Sequence, residues 1–139
     1  MPFLLDTCAI CEPVSKKPNP HAMGQLVQLP RDEIHISAIT IGEVEQGIQE
    51  MQPCKRRTFL ESWLEDHVLA LYADRTYAVD VAIGREWGRL VADLRKRGFK
   101  MQVKDSLLAA TALLHGLVVV TRNEADFVHS GVRILNPWK

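Results

Sequence analysis

The apolar residues of this chain follow two alternating patterns. Short apolar runs, which are typical of β-strands, are separated by stretches in which apolar residues recur every three or four positions, as on one face of a helix. The run from Val118 to Val120 is entirely β-branched, which is typical of a central strand covered on both faces. Strands are predicted at residues 3–5, 33–37, 76–79, 117–120 and 132–135.

Helical spacing is clearest in the second half of the chain. The apolar residues from Ile83 to Leu94 share one face, and the basic residues that follow, with Gly98, suit the end of a helix. Asp105 is predicted to begin a helix that is apolar nearly all round, and therefore buried, and that Gly116 ends. Further helices are predicted directly after Asp6 and at residues 21–29, 40–51 and 60–71, with prolines limiting several of them.

Strands that alternate with helices predict an α/β fold, with a central, mostly parallel sheet and helices on both of its faces. The chain has 139 residues, which is about the size of one ordinary domain. It contains no internal repeat, low-complexity tract or linker-like segment. We therefore predict a single domain over residues 1–139.

Charge and cysteine content narrow the function. The chain has 17 basic and 17 acidic residues, so its formal net charge is zero, which argues against a simple nucleic-acid-binding module. It has three cysteines, no segment with the pattern of a signal peptide, and no apolar run near the roughly 20 residues that span a membrane. These features predict a protein of the reduced cytoplasm with no membrane partner.

Acidic residues stand where predicted strands lead into helices. In open parallel sheets, ligands bind at the carboxyl ends of the strands. Each acid also has an ordinary explanation: Asp6 and Asp105 could cap helices, Glu43 could form a capping box with Thr40, and Asn123 with Asp126 could cap a short helix. The residues expected at this one edge are Asp6, Glu43, Asp105, Asn123 and Asp126.

Taken together, these acids predict a metal site. Three or four carboxylates at one sheet edge would repel each other unless a cation neutralised them or some were protonated. Oxygen-only ligands suit Mg²⁺ or Mn²⁺ rather than Zn²⁺. Such a cation turns a bound water into a nucleophile and stabilises the leaving oxygen of a phosphodiester, so the ligand type favours chemistry on phosphate.

The residues around these acids resemble a known family. The chain is similar, along essentially its whole length, to PIN-domain endoribonucleases, particularly the VapC-type toxins of bacterial toxin-antitoxin pairs and their FitB-like branch. The matching motifs, in order, are Leu4-Leu5-Asp6-Thr7, Ser37-Ala38-Ile39-Thr40 with Gly42-Glu43 and Gly47, Lys104-Asp105 with Leu108 to Ala112, Val120-Thr121-Arg122-Asn123 with Asp126-Phe127, and Asn136-Pro137-Trp138.

The resemblance implies a PIN-like three-layer fold and a Mg²⁺-dependent (or Mn²⁺-dependent) endoribonuclease toxin that leaves 5′-phosphate ends. It implies metal ligands at Asp6, Glu43 and Asp105. The fourth catalytic acid is ambiguous in the family, and we favour Asp126, with Asn123 as a polar support. The implied partners are an RNA substrate, a VapB-type antitoxin whose own chain occupies the acidic site, and a second copy in a homodimer. We also expect Arg122 to hold the RNA backbone, because of its position.

Cys8 supports two other interpretations. Many members of the family have Asn or Ser at this position, so the thiol could weaken the metal site and leave a non-catalytic regulatory or nucleic-acid-binding protein. Cys8 and Cys11 also form a CxxC motif, which suggests a thiol oxidoreductase or half of a zinc site. No second ligand pair supports zinc, and buried cysteines commonly act as small apolar residues.

Overall fold

A five-stranded parallel sheet lies at the centre of the protein. The fold is taken from a computed structural model that describes residues 2–139. Its strands, in the spatial order β3-β2-β1-β4-β5, are β1 (Phe3–Leu5), β2 (Ile34–Ser37), β3 (Thr76–Tyr77), β4 (Val118–Val120) and β5 (Arg133–Leu135). All four strand pairs are parallel, which confirms the predicted sheet.

Six α-helices connect the strands. They are α1 (Thr7–Cys11), α2 (Pro20–Leu26), α3 (Ala38–Gln49), α4 (Lys55–Trp63), α5 (Val81–Lys96) and α6 (Val103–His115). Helix α4 continues into a wider π-helical segment, Leu64–Leu69, and short 3₁₀ turns lie at Glu12–Val14, Arg31–Glu33, Ala73–Arg75 and Glu124–Asp126. Within residues 2–139, none of the helices is long and apolar enough to cross a membrane.

Two apolar cores cover the two faces of the sheet. Successive residues of a strand point to opposite faces, so Leu4 packs with α5 and α6 while its neighbour Leu5 packs with α1, α3 and α4. Val119 and Val120 divide in the same way on the next strand. The result is the three-layer α/β architecture that the sequence predicts.

Two helices begin earlier than predicted, and this changes the interpretation of the acids. Helix α3 begins at Ala38 because the Ser37 hydroxyl accepts the Ile39 amide at 3.1 Å, so Thr40 is inside the helix. Helix α6 begins at Val103, and Asp105 is its third residue rather than its cap. Gly98 and Gly116 follow α5 and α6 with φ of 82° and 66°, a left-handed conformation that glycine adopts without strain, as predicted.

Replacing Leu108 by Ala tests the packing of α6 against the sheet. Leu108 is fully buried, so its removal leaves a cavity, and the free energy of unfolding should fall by about 2–5 kcal/mol. Urea denaturation measures this change. Leu113→Ala, on the exposed side of the same helix, is the matched control and should lower stability much less. Equal losses for both variants would contradict the buried position of Leu108.

Candidate active site

Asp6 is the most firmly held acid of the site. It follows β1 directly and caps α1, where its Oδ1 accepts the Thr7 amide at 2.7 Å. Its Oδ2 accepts the Thr121 hydroxyl at 2.8 Å. The side chain is only 6% exposed, and this burial raises the pKa of Asp6 above its ordinary value although both hydrogen bonds oppose the shift. Asp6 therefore serves as a helix cap and also presents a carboxylate at the sheet edge.

Thr121 is a site residue to which the sequence analysis assigned no role. It is fully buried and follows β4, and its hydroxyl also accepts the Asn123 amide at 3.0 Å. Its position directly after a central β-branched strand was the available signal, because strand β4 pairs with β1 and the two ends must meet. Thr121 fixes Asp6 from the neighbouring strand.

Glu43 lies on α3 and turns toward the same edge. Its Oε1 accepts the Thr7 hydroxyl at 3.0 Å, and its Oε2 accepts the Lys104 ammonium at 2.8 Å. The capping-box explanation is wrong, because α3 begins at Ala38 and Glu43 is more than one turn inside it. Lys104, like Thr121, belongs to a motif that matches the family, but it was not predicted as a site residue.

Asp105 has the most perturbed acid–base equilibrium of the four carboxylates. Burial is the largest cause that raises the pKa of Asp105, to about 6, and the carboxylates of Asp6, Asp126 and Glu43 add to it. Lys104 opposes the shift. Helix α6 is preceded by Gln102 and has no side-chain cap, so the helix-cap explanation is also wrong for Asp105. The four predicted acids therefore lie close enough together to repel one another.

The loop after β4 carries the remaining predicted residues. Asp126 ends a 3₁₀ turn and is exposed, and it faces Asp105 across the site closely enough to raise the pKa of that acid. Asn123 is exposed and its side chain caps nothing, contrary to the ordinary explanation for this residue. The Arg122 guanidinium carbon lies 5.3 Å from the centre of the Trp138 ring. This loop therefore adds the carboxylate of Asp126 beside Asp105.

The donor set fits a hard divalent cation. Its four candidate ligands offer carboxylate oxygens, and burial beside other carboxylates raises the pKa of both Asp6 and Asp105, a cost of negative charge that a cation would offset. Lys104 partly supplies that positive charge through its contact with Glu43. Across the described chain, no three His, Cys, Asp or Glu side chains stand close enough to enclose a metal ion as they are placed. A cation such as Mg²⁺, which usually takes one or two carboxylates and several waters, would draw only part of its ligands from these side chains.

Burial favours the protonated thiol at Cys8 and Cys11. Burial raises the pKa of Cys8, and it raises the pKa of Cys11 to about 11. The Cys8 thiol donates to Asp6 Oδ2 at a long 3.9 Å, and it lies 3.7 Å from the Thr121 hydroxyl. Because the thiolate is the reactive form of cysteine, these environments argue against a thiol oxidoreductase.

Comparisons with known proteins identify the family of the chain. The PIN domain model matches residues 3–130. Toxin FitB of Neisseria gonorrhoeae is 31% identical over 136 residues, which cover 98% of each protein. VapC ribonuclease Y4jK of Sinorhizobium fredii is 32% identical over 137 residues, which cover 99% of this chain and 98% of the relative. The crystal structure of FitAcB from Neisseria gonorrhoeae superposes with a TM-score of 0.93 at 31% identity over 98% of both chains. The chain therefore belongs to the PIN domain family.

Proposed function

We propose that this protein is a single-domain, metal-dependent endoribonuclease that acts in the cytoplasm as the toxin of a toxin-antitoxin pair. The observation that carries the proposal is the grouping of four carboxylates beside the ends of β1 and β4, where burial, with a contribution from the neighbouring carboxylates, raises the pKa of Asp105 to about 6. The similarity to a VapC ribonuclease over 99% of this chain supports RNA as the substrate.

Asp6, Glu43 and Asp105 are the proposed ligands of a Mg²⁺ or Mn²⁺ ion, with Asp126 as the fourth catalytic acid and Asn123 as its polar support. When bound, the ion supplies a more acidic water and positive charge beside the phosphate. Asp6 is held by Thr7 and Thr121, so it provides a fixed oxygen. One of the four acids accepts the proton of the attacking water.

The contacts of Cys8 oppose the alternative of a weakened, non-catalytic site. That alternative depends on the loss of a hydrogen-bonding side chain beside Asp6. The Thr121 hydroxyl makes a 2.8 Å bond to Asp6 Oδ2, the same oxygen that Cys8 approaches at 3.9 Å. Thr121 therefore provides the support that an Asn or Ser at position 8 would offer.

A protein partner is part of the proposed function. We expect a VapB-type antitoxin to bind this chain and to cover the acidic site, and we expect a homodimer. The similarity to Toxin FitB and to the FitAcB structure supports this assignment, because both similarities span 98% of this chain. The covering segment would need a positive group, since the site is a cluster of carboxylates.

Replacing Asp105 by Asn tests the nuclease proposal. The variant should lose about 100- to 1,000-fold in Mn²⁺-dependent RNA cleavage, because an amide holds a cation less well than a carboxylate and does not accept a proton. Cleavage of a labelled RNA by antitoxin-free protein measures the loss. Asp66→Asn, at an exposed acid of the π-helical segment, is the matched control and should cleave normally. Wild-type protein that cleaves no RNA with either ion would refute the proposal.

The same substitution should stabilise the metal-free protein at neutral pH. Below the ordinary pKa of 3.8 the carboxyl is protonated in both the folded and unfolded states, whereas between that value and about 6 the unfolded chain ionises first. Stability contributed by the neutral form is therefore lost as the pH rises toward 6. The advantage of Asp105→Asn in urea denaturation with a chelator should grow over this range and then level off. An advantage that does not change with pH would contradict the raised pKa.

Lys104 offers a separate test of the metal site. Because its ammonium contacts Glu43 and repels other cations, Lys104→Met should bind Mn²⁺ about two- to fivefold more tightly. Titration calorimetry on metal-free protein measures the affinity. Lys96→Met, at the exposed end of α5, is the matched control. Weaker binding by Lys104→Met would instead mean that Lys104 orients Glu43 for the cation.

A further inference from the structure

A polar cavity of about 420 Å³ opens beside Cys8, whose thiol reaches Asp6. It lies between α1, the loop that follows α1, and the C-terminal segment. We call it the Trp138 cavity and define it by Cys8, Cys11, Ser15, Lys17, Arg122 and Trp138. Its volume lies within the roughly 300–1,000 Å³ of pockets that bind small molecules. The four acids of the site do not line it.

The wall formed by Arg122 and Trp138 is held in place. The guanidinium lies over the indole ring, 5.3 Å from its centre. Asn136 fixes both residues: its Oδ1 accepts the Trp138 amide at 2.9 Å, and its Nδ2 donates to Glu124 at 2.9 Å and, more weakly, to the Arg122 carbonyl at 3.5 Å. The wall is therefore a preformed layer of one cation and one aromatic ring.

The cavity has polar groups without partners. The Ser15 hydroxyl and the Trp138 indole nitrogen are both buried, and neither forms a hydrogen bond to any other residue in the described part of the chain. Both residues line the cavity. Buried polar groups are normally paired, so these two atoms have hydrogen-bonding capacity left for a polar ligand or a water at the cavity.

The charge of the cavity suits an anion. Lys17 and Arg122 are exposed at its mouth, and the one acid there, Glu12, uses an oxygen to accept the Asn19 amide at 2.7 Å. Lys17, Arg122 and the Trp138 ring lie next to the proposed phosphodiesterase site, and together they suit a nucleotide, which carries both a phosphate and a base.

Cys8 connects the cavity to the reacting centre. Its sulfur accepts the Arg122 amide at 3.5 Å, and its thiol reaches Asp6 Oδ2 at 3.9 Å. A ligand in the Trp138 cavity is thus separated from the acids by one side chain. A nucleotide neighbouring the cleaved bond would lie at this distance from the site.

We propose that the Trp138 cavity binds one nucleotide of the RNA next to the cleaved phosphodiester. Its base stacks on the layer formed by Arg122 and Trp138, as bases in single-stranded RNA stack on aromatic rings and guanidinium planes. Lys17 and Arg122 contact its phosphate, and the Ser15 hydroxyl and the indole nitrogen, at the edge of the ring, bond oxygens of its ribose or phosphate. This assignment rests on the proposed nuclease function, and it makes the cavity a determinant of which RNA sequence is cut.

The test measures RNA binding without catalysis. Affinity for a short single-stranded RNA is measured by fluorescence anisotropy with a chelator present and at fixed ionic strength. Trp138→Leu should weaken binding roughly 5- to 100-fold, the range found when a stacking aromatic residue is removed. Trp138→Phe should keep most of the affinity, because it keeps an aromatic face. Arg122→Met and Lys17→Met should weaken binding and reduce its salt dependence.

Controls distinguish recognition of the base from recognition of the phosphate. They also distinguish binding in the cavity from general attraction of RNA to positive surface charge. Arg89→Met, at an exposed arginine of α5, should bind RNA normally. A nucleoside 5′-monophosphate should compete with the RNA, and ribose 5-phosphate should compete less well, because it lacks a base to stack. Equal competition by both would overturn the stacking assignment. Thermal melting checks folding, and if Trp138→Leu does not fold, Trp138→Phe and Arg122→Met decide the outcome.

Two results would overturn the cavity assignment while leaving the nuclease proposal intact. In the first, the Trp138→Leu and Arg122→Met proteins fold and bind RNA with normal affinity, while the wild type cleaves RNA and Asp105→Asn does not. In the second, the same two variants lose affinity for the antitoxin but keep their affinity for RNA, which would make the cavity a protein contact. If wild type cleaves no RNA, the nuclease proposal fails, and the binding assay still decides the cavity.

Discussion

The hydrogen bond from Thr121 to Asp6 joins the ends of the two central strands, and the site is built around it. β1 and β4 pair in parallel up to Leu5 and Val120, so the next residue of each strand leaves the sheet beside the other. Strands β2 and β3 lie on one side of this pair and β5 on the other. The chain connections diverge here, and such a crevice is where open parallel sheets bind their ligands.

Electrostatic repulsion sets the character of this crevice. Asp6 is buried and faces Glu43, and Asp105 faces three other carboxylates, so the fold holds negative charge that it would release by protonation or by binding a cation. Lys104 offsets part of this charge, and because it is half exposed, it is able to move away from Glu43. A site that is strained without its ligand and relieved with it is typical of functional positions, where stability is given up for activity.

The strands and most helices were predictable because their signals are local. The apolar periodicity lies within each strand or helix, and the glycines that end α5 and α6, Gly98 and Gly116, lie within two residues of them. The starts of α3 and α6 were missed by about two residues because Ser37 and Gln102, rather than Thr40 and Asp105, precede them. That small shift had consequences for function, since it removed the capping explanations for Glu43 and Asp105.

The acids were predictable as a group because parallel strands end at one edge, but their supports were not. Lys104 reaches Glu43 across 61 positions of sequence, and Thr121 reaches Asp6 across 115. Such contacts follow from strand order, which the sequence pattern leaves open among several arrangements. The Trp138 cavity was missed for the same reason, because its walls come from both ends of the chain.

Cys8 shows how one position serves two neighbouring sites. A residue here touches Asp6 on one side and the Trp138 cavity on the other. With Thr121 already bonded to Asp6, the residue at position 8 does not need to be a strong hydrogen-bonding group, and a protonated thiol fills the space without adding charge. A carboxylate at this position would repel Asp6, whose pKa is already raised by burial and by Glu43, and it would also oppose an anion in the cavity. The departure from the family pattern is therefore compatible with both sites, because each requires a neutral side chain there.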